Sequence, residues 1–179
     1  MGLPAAMPSG PRLWISAVLL QAGVSGLFVT LWLRSPLAWI FALTVVAGFA
    51  AFISQVVWML RRPRPRPPGL RRPDPAVLHA GASFASLGIA SVLGVWLTIA
   101  EPSSAALRIA MAYGVFGLVG FLAQMVIGME GRLLPIFAWY WAYANTGHKG
   151  PVPSQHEMPW RHGQELVFAL WLFGVPALA

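Results

Sequence analysis

The sequence predicts an all-α, polytopic membrane protein, a transmembrane helical bundle with four full spans and an incomplete or re-entrant fifth. Three observations carry that expectation. Hydrophobic residues make up 58% of the chain and charged residues only 9%, against about 25% charged in soluble globular domains. The apolar residues are gathered into long runs, four of which reach the roughly 20 residues a helix needs to cross a hydrocarbon core. The breaks between those runs hold proline and arginine, which end helices and resist burial in lipid.

Residues 1–12 form a lead of small residues and proline. Residues 13–33 form the first apolar run. Its 21 residues exceed the roughly 7–15 of a signal-peptide core, and no polybasic start precedes it, so it is expected to be a retained span. Arg34-Ser35-Pro36 interrupts the chain, because proline disfavours helix at the residue before it. The second span, 37–60, has 24 residues, about 36 Å of helix, and crosses a ~30 Å core with some tilt. Spans one and two are thus a helical hairpin.

Residues 61–75 hold six arginines and six prolines. Each proline removes a backbone donor and fixes φ, so neither helix nor strand persists there and an extended, polyproline-like loop is expected. The basic residues read as a topology signal, with anionic-lipid or partner docking as the functional alternative. Their place between two spans argues against nucleic acid as a partner. The third span covers 76–100, where Gly81, Ala85 and Gly88 share a helical face.

The fourth span, 105–129, follows a turn at Glu101-Pro102. At roughly 100° per residue, Gly114, Gly117, Gly120, Gly128 and Gly131 fall within about 120° of arc, together with Gln124. Such a stripe lets another helix approach closely, and the Gly81, Ala85, Gly88 face is its expected partner. With residues 61–75 in the cytoplasm, ten of the twelve basic residues lie on that side and only Arg34 and Arg108 outside, which places the N-terminus in the cytoplasm.

Residues 130–163 begin with a dense aromatic cluster, Phe137, Trp139, Tyr140, Trp141 and Tyr143, expected as an interfacial belt or as one wall of a ligand site. A polar loop follows. The partial fifth span, 164–179, contains an apolar run of 14 residues from Leu166, about 21 Å of helix and too short to cross. The chain is therefore expected either to re-enter the membrane there or to end inside a fifth span of a longer parent.

No hydrolase, nucleotide-binding or zinc-protease motif is present, so no catalytic residue and no metal site is assigned. His156 and Glu157 begin like a zinc-protease helix, but His162 follows six residues after His156, off the helical face that the motif requires; His148, His156 and His162 read as loop residues. The chain has no cysteine, which excludes disulfides and thiolate ligands. The spans lack Asp, Glu and Lys away from their ends, which disfavours a proton pump or ion-coupled carrier. What they do contain is a polar layer, Gln21, Gln55 and Gln124 with His79, expected to serve as interhelical hydrogen-bond glue. His79 is the only histidine in an apolar span; with Met125 and Met129 near its depth, it is the candidate ligand for haem or copper.

The block YGVFGLVGFLAQMVIGMEGRLLPIFAW, residues 113–139, preceded by LHAGASF around His79, resembles a segment of uncharacterised bacterial polytopic membrane proteins. Those proteins are themselves distantly similar to haem-copper oxidase subunit I and to NnrS-like proteins. The likeness spans roughly residues 76–160 and rests on Gly128, Arg132, Leu133, Leu134 and Pro135, the aromatics after them, and the stretch Pro153–Pro159. It implies a haem or metal role for His79 and a location in the bacterial inner (plasma) membrane. The expectation is an integral membrane protein without a self-sufficient catalytic site. It would be a subunit or fragment of a respiratory-type, haem-copper-oxidase-like protein. The alternatives are a small-molecule or ion transporter completed by oligomerisation, or a structural membrane scaffold. Expected partners are the lipid bilayer and other membrane subunits or further copies of the chain.

Overall fold

The computed structural model describes residues 11–62, 75–144 and 161–179. Among these residues there are helices and no strand. Helix α1 is Pro11–Trp32, α2 Ala38–Leu60, α3 Pro75–Ile99, α4 Ser104–Tyr143 and α5 Arg161–Leu178. The first four are long and apolar enough to cross a membrane. The proline-rich lead, most of the arginine- and proline-rich loop, and the polar loop with His148 and His156 lie outside the described residues.

Burial is inverted relative to a water-soluble protein. The inward positions are small or polar, among them Ala38, Ala42, Ala90, Ser16, Ser83, Ser86, His79 and Gln124. Large apolar side chains such as Phe28, Leu43, Val92, Leu118 and Leu122 face outwards. In water that arrangement would forfeit the main driving force for folding. In lipid, helices associate through close packing and polar contacts, and large apolar residues are left to the acyl chains.

The chain divides into two compact units. The first takes its described residues from Met1–Arg71 and Ser91–Ala110, and its main feature is the α1–α2 hairpin. The turn is closed by Ser35 N–H donating to Thr30 O at 2.8 Å, around Arg34 at φ 50°. This is a left-handed helix cap with arginine in a place that glycine usually takes. Three glycines set the approach of the two helices: a Cβ on Gly23 would lie 2.8 Å from Val45 Cγ2 and one on Gly48 2.8 Å from Leu20 N, while Gly26 faces the Phe41 ring. Gln55 Nε2 donates to Ser16 Oγ at 3.2 Å, joining the hairpin near its open end. Past the end of α2, the Arg62 guanidinium stacks 4.5 Å above the Trp58 ring.

The second unit takes its described residues from Arg72–Ala90 and Met111–Ala179. Two features of α4 depart from the expected span. Residues Val115–Ala123 are a π-helix, bonded from i to i+5 rather than to i+4. Beyond it, the helix does not stop at Met129 but runs through Pro135 to Tyr143. Its 40 residues make roughly 60 Å of helix, about twice a ~30 Å core, so part of α4 projects past the hydrocarbon. The aromatic residues expected in an interfacial belt are carried on that projection, and Trp141 is its most exposed, at 86%.

Candidate functional site

Among the described residues, the buried polar side chains of the second unit lie along one seam. On α3, His79, Ser83, Ser86 and Ala90 are buried. Their spacing of four, three and four residues puts them on one helical face. The facing positions on α4 are Gly128, Gln124 and Gly120, also buried. A Cβ on Gly128 would lie 2.6 Å from His79 Cβ, and one on Gly120 would lie 2.8 Å from Ser86 Cβ. Between these levels Ser83 Oγ lies 3.8 Å from Met125 Sδ. The register is therefore antiparallel, with two glycines taking the place where side chains would hold the helices apart.

Helix α5 closes the seam. The Phe168 ring meets the His79 ring edge-on, with centroids 5.1 Å apart and planes at 84°. Val175 Cγ1 reaches to 3.0 Å from the Cβ position of Gly120. Two polar contacts fix α5 where the α4 ladder is irregular. Trp171 Nε1 donates to Val119 O at 3.3 Å, inside the π-helical stretch, where the same carbonyl also takes the Gln124 backbone N–H. Gln164 Nε2 donates to Gly131 O at 2.6 Å. Gly131 lies four residues before Pro135, so its carbonyl is the one that the proline nitrogen, having no hydrogen, leaves without its helical donor. The side chain of Gln164 supplies that donor from α5, and α4 continues as a helix.

Several residues singled out in the sequence lie elsewhere. The α3 face in the seam is not Gly81, Ala85 and Gly88: Gly81 has open space at its Cβ position and Ala85 is exposed. Of the glycine stripe, Gly120 and Gly128 pack, Gly131 faces the Gln164 amide with a Cβ position 3.5 Å from Nε2, and Gly114 and Gly117 meet nothing within 4 Å. The physical reason is the π-helix. With i to i+5 bonding each turn takes an extra residue, so positions before Gly120 rotate off the face that a regular α-helix would give them. Gln21 is exposed and donates within α1 to Ser25 Oγ at 3.4 Å. Gln55 finds Ser16 in the first unit.

The residues around His79 do not fit a haem. Its side chain is enclosed, with the residue 3% exposed between Gly128 and the Phe168 ring, whereas an axial imidazole must present a ring nitrogen to an open planar slot. Met129 is 61% exposed and turned out of the helix contact, and Met125 lies against the Ser83 hydroxyl. Among the described residues no three His, Cys, Asp or Glu side chains gather as a metal site. No protein-family model, curated protein or solved structure matches the chain.

Sequence reasoning missed Ser83, Ser86, Gln164, Phe168 and Trp171. For the serines the signal was present: with His79 they repeat small or polar residues at helical spacing through an otherwise apolar span. For Gln164, Pro135 announces an orphan carbonyl at Gly131 but does not say which distant side chain satisfies it.

Proposed function

We propose that the chain is a non-catalytic, multi-pass subunit of a larger membrane assembly, with its N-terminus in the cytoplasm. The observation that carries this reading is the use to which the polar side chains are put. His79, Ser83, Ser86 and Gln124 are polar side chains buried at helix contacts, and Gln164 and Trp171 tie α5 to irregular turns of α4. Gln164 and Trp171 spend their N–H groups on joining α5 to α4, and the other buried polar residues occupy the α3–α4 contact, a place that serine, glutamine and histidine take between spans. A respiratory, haem-copper-oxidase-like assembly in the bacterial inner membrane is the setting suggested by the likeness around Gly128, Arg132, Leu133, Leu134 and Pro135. Within that setting, His79 serves as a packing residue and not as a haem ligand. The bias of ten basic residues against two supports the orientation.

The test is to extract the chain from its native membrane in mild detergent, then identify what travels with it by native mass spectrometry and record its visible spectrum. Other membrane subunits should copurify, and His79→Ala should leave any haem absorbance unchanged. A lone chain that carries a solute across liposomes would contradict the subunit role. A Soret band lost in His79→Ala would contradict the packing role of His79.

A further inference from the structure

Among the described residues of the second unit, two enclosed nitrogen atoms have no hydrogen-bond partner: His79 Nδ1 and Gln124 Nε2. Their residues are 3% and 2% exposed. Both belong to the α3–α4 seam. His79 stands at the level of Gly128, and Gln124 is one helical turn earlier on α4, an axial distance of about 6 Å. Ser83, fully buried, is four residues after His79 as Gln124 is four before Gly128, so it stands at about the level of Gln124. Its hydroxyl has one proton, directed at Ala80 O at 2.8 Å with Met125 Sδ at 3.8 Å, so its oxygen retains accepting capacity. Gly120 and Gly128 flank Gln124 by one turn on either side, and at both the α3 side chains Ser86 and His79 come close to the α4 backbone.

We infer that the seam among His79, Ser83 and Gln124 is a binding site for one small molecule that both donates and accepts hydrogen bonds, water being the simplest. The chemistry of the unpaired atoms selects that class. Gln124 Nε2 can only donate, so the guest must accept from it. His79 Nδ1 accepts in one neutral tautomer and donates in the other. In the first case the guest gives a proton to the imidazole; in the second it accepts from both nitrogens and gives a proton to Ser83 Oγ. A pure acceptor, such as a ketone, serves only the second tautomer. A cation is repelled by the amide hydrogens in both. Water fits either, with the two or three bonds that a buried water makes. The site exists whether or not the chain assembles with other subunits.

The experiment uses the full chain in lipid nanodiscs, labelled with nitrogen-15 at histidine and glutamine, and ordinary water as the probe. Water-edited magic-angle-spinning NMR reads which nitrogens receive magnetisation from bound water, with the His79 resonances assigned by their loss in His79→Phe. Transfer should reach His79 Nδ1 and Gln124 Nε2 and should disappear from His79 in Gln124→Met, a side chain of similar length without the amide. Absence of transfer to both nitrogens in the wild type overturns the site, as does a direct coupling between the two side chains, which would mean the seam closes dry. Undiminished transfer to His79 in Gln124→Met overturns the part given to Gln124. If that variant does not fold, the wild-type spectrum decides: transfer supports the site and its absence removes it.

Discussion

Replacing Gln164 by leucine removes the donor that serves the Gly131 carbonyl, and the cost should depend on whether residue 135 is proline. In the wild type the bond is short, 2.6 Å, and Gly131 O has no helical donor because Pro135 lacks an N–H. A neutral hydrogen bond of this kind contributes about 0.5–1.5 kcal/mol net, so Gln164→Leu should destabilise by about 1 kcal/mol, roughly a fivefold change in the unfolding equilibrium. Pro135→Ala restores the backbone donor and relieves the ring clash. It should stabilise the helix by up to about 3 kcal/mol. In that background the Gly131 carbonyl no longer needs Gln164, and Gln164→Leu should cost close to nothing. The four proteins form a double-mutant cycle with a coupling of about 1 kcal/mol. Equilibrium unfolding in mixed micelles, followed by circular dichroism, measures it. Equal costs of Gln164→Leu in both backgrounds, within about 0.3 kcal/mol, would refute the exchange of donors.

Other perturbations separate packed glycines from open ones. Gly128→Ala places a methyl against His79 Cβ and should cost about 1–3 kcal/mol, whereas Gly117→Ala meets open space and should stabilise by up to about 1 kcal/mol in the same unfolding assay. Trp171→Phe keeps an aromatic six-membered ring but removes the pyrrole ring and with it the bond to Val119 O. Because the Gln124 N–H still serves that carbonyl, the loss should be small, about 0.5 kcal/mol, and readable as a lower melting temperature in detergent. Fusions to a reporter enzyme active only outside the cytoplasm should be active at the Arg34 turn and silent in the arginine-rich loop; the opposite pattern would invert the orientation.

The helices were legible because lipid imposes a blunt rule: a span must be long and apolar. Runs 37–60 and 76–100 correspond within a residue to α2 and α3. The course of α4 was hidden for local reasons. Pro135 and the aromatics after it look like a helix end, and the amide of Gln164, 33 residues on from the Gly131 carbonyl that it serves, makes continuation tolerable. The glycine stripe was misplaced in part because a constant angle per residue assumes α-helical winding, and nothing in VFGLVGFLA announces i to i+5 bonding. On α3, glycine drew attention to the Gly81, Ala85, Gly88 face, yet the buried face combines serines with one histidine. In lipid a serine is small enough to pack closely and polar enough to gain from burial, so it competes with glycine for such contacts. Gly23, Gly26 and Gly48 set the α1–α2 approach by the same physics, but no wider pattern on those helices distinguishes them.

The register of the seam, on which the reading of His79 and of the whole second unit depends, is open to direct measurement because the chain has no cysteine of its own. The pair Ser86→Cys with Gly120→Cys places two thiols where the Cβ positions nearly touch, and the control pair Ala85→Cys with Gly120→Cys tests the neighbouring α3 face. Mild oxidation in membranes should join the first pair rapidly and nearly completely and leave the second largely reduced: a disulfide holds its Cβ atoms about 3.5–4.5 Å apart, which the first pair reaches from 2.8 Å by a separation of the helices of about 1 Å. Faster joining of the Ala85 pair would turn α3 to its glycine face, take His79 out of the contact and contradict the seam.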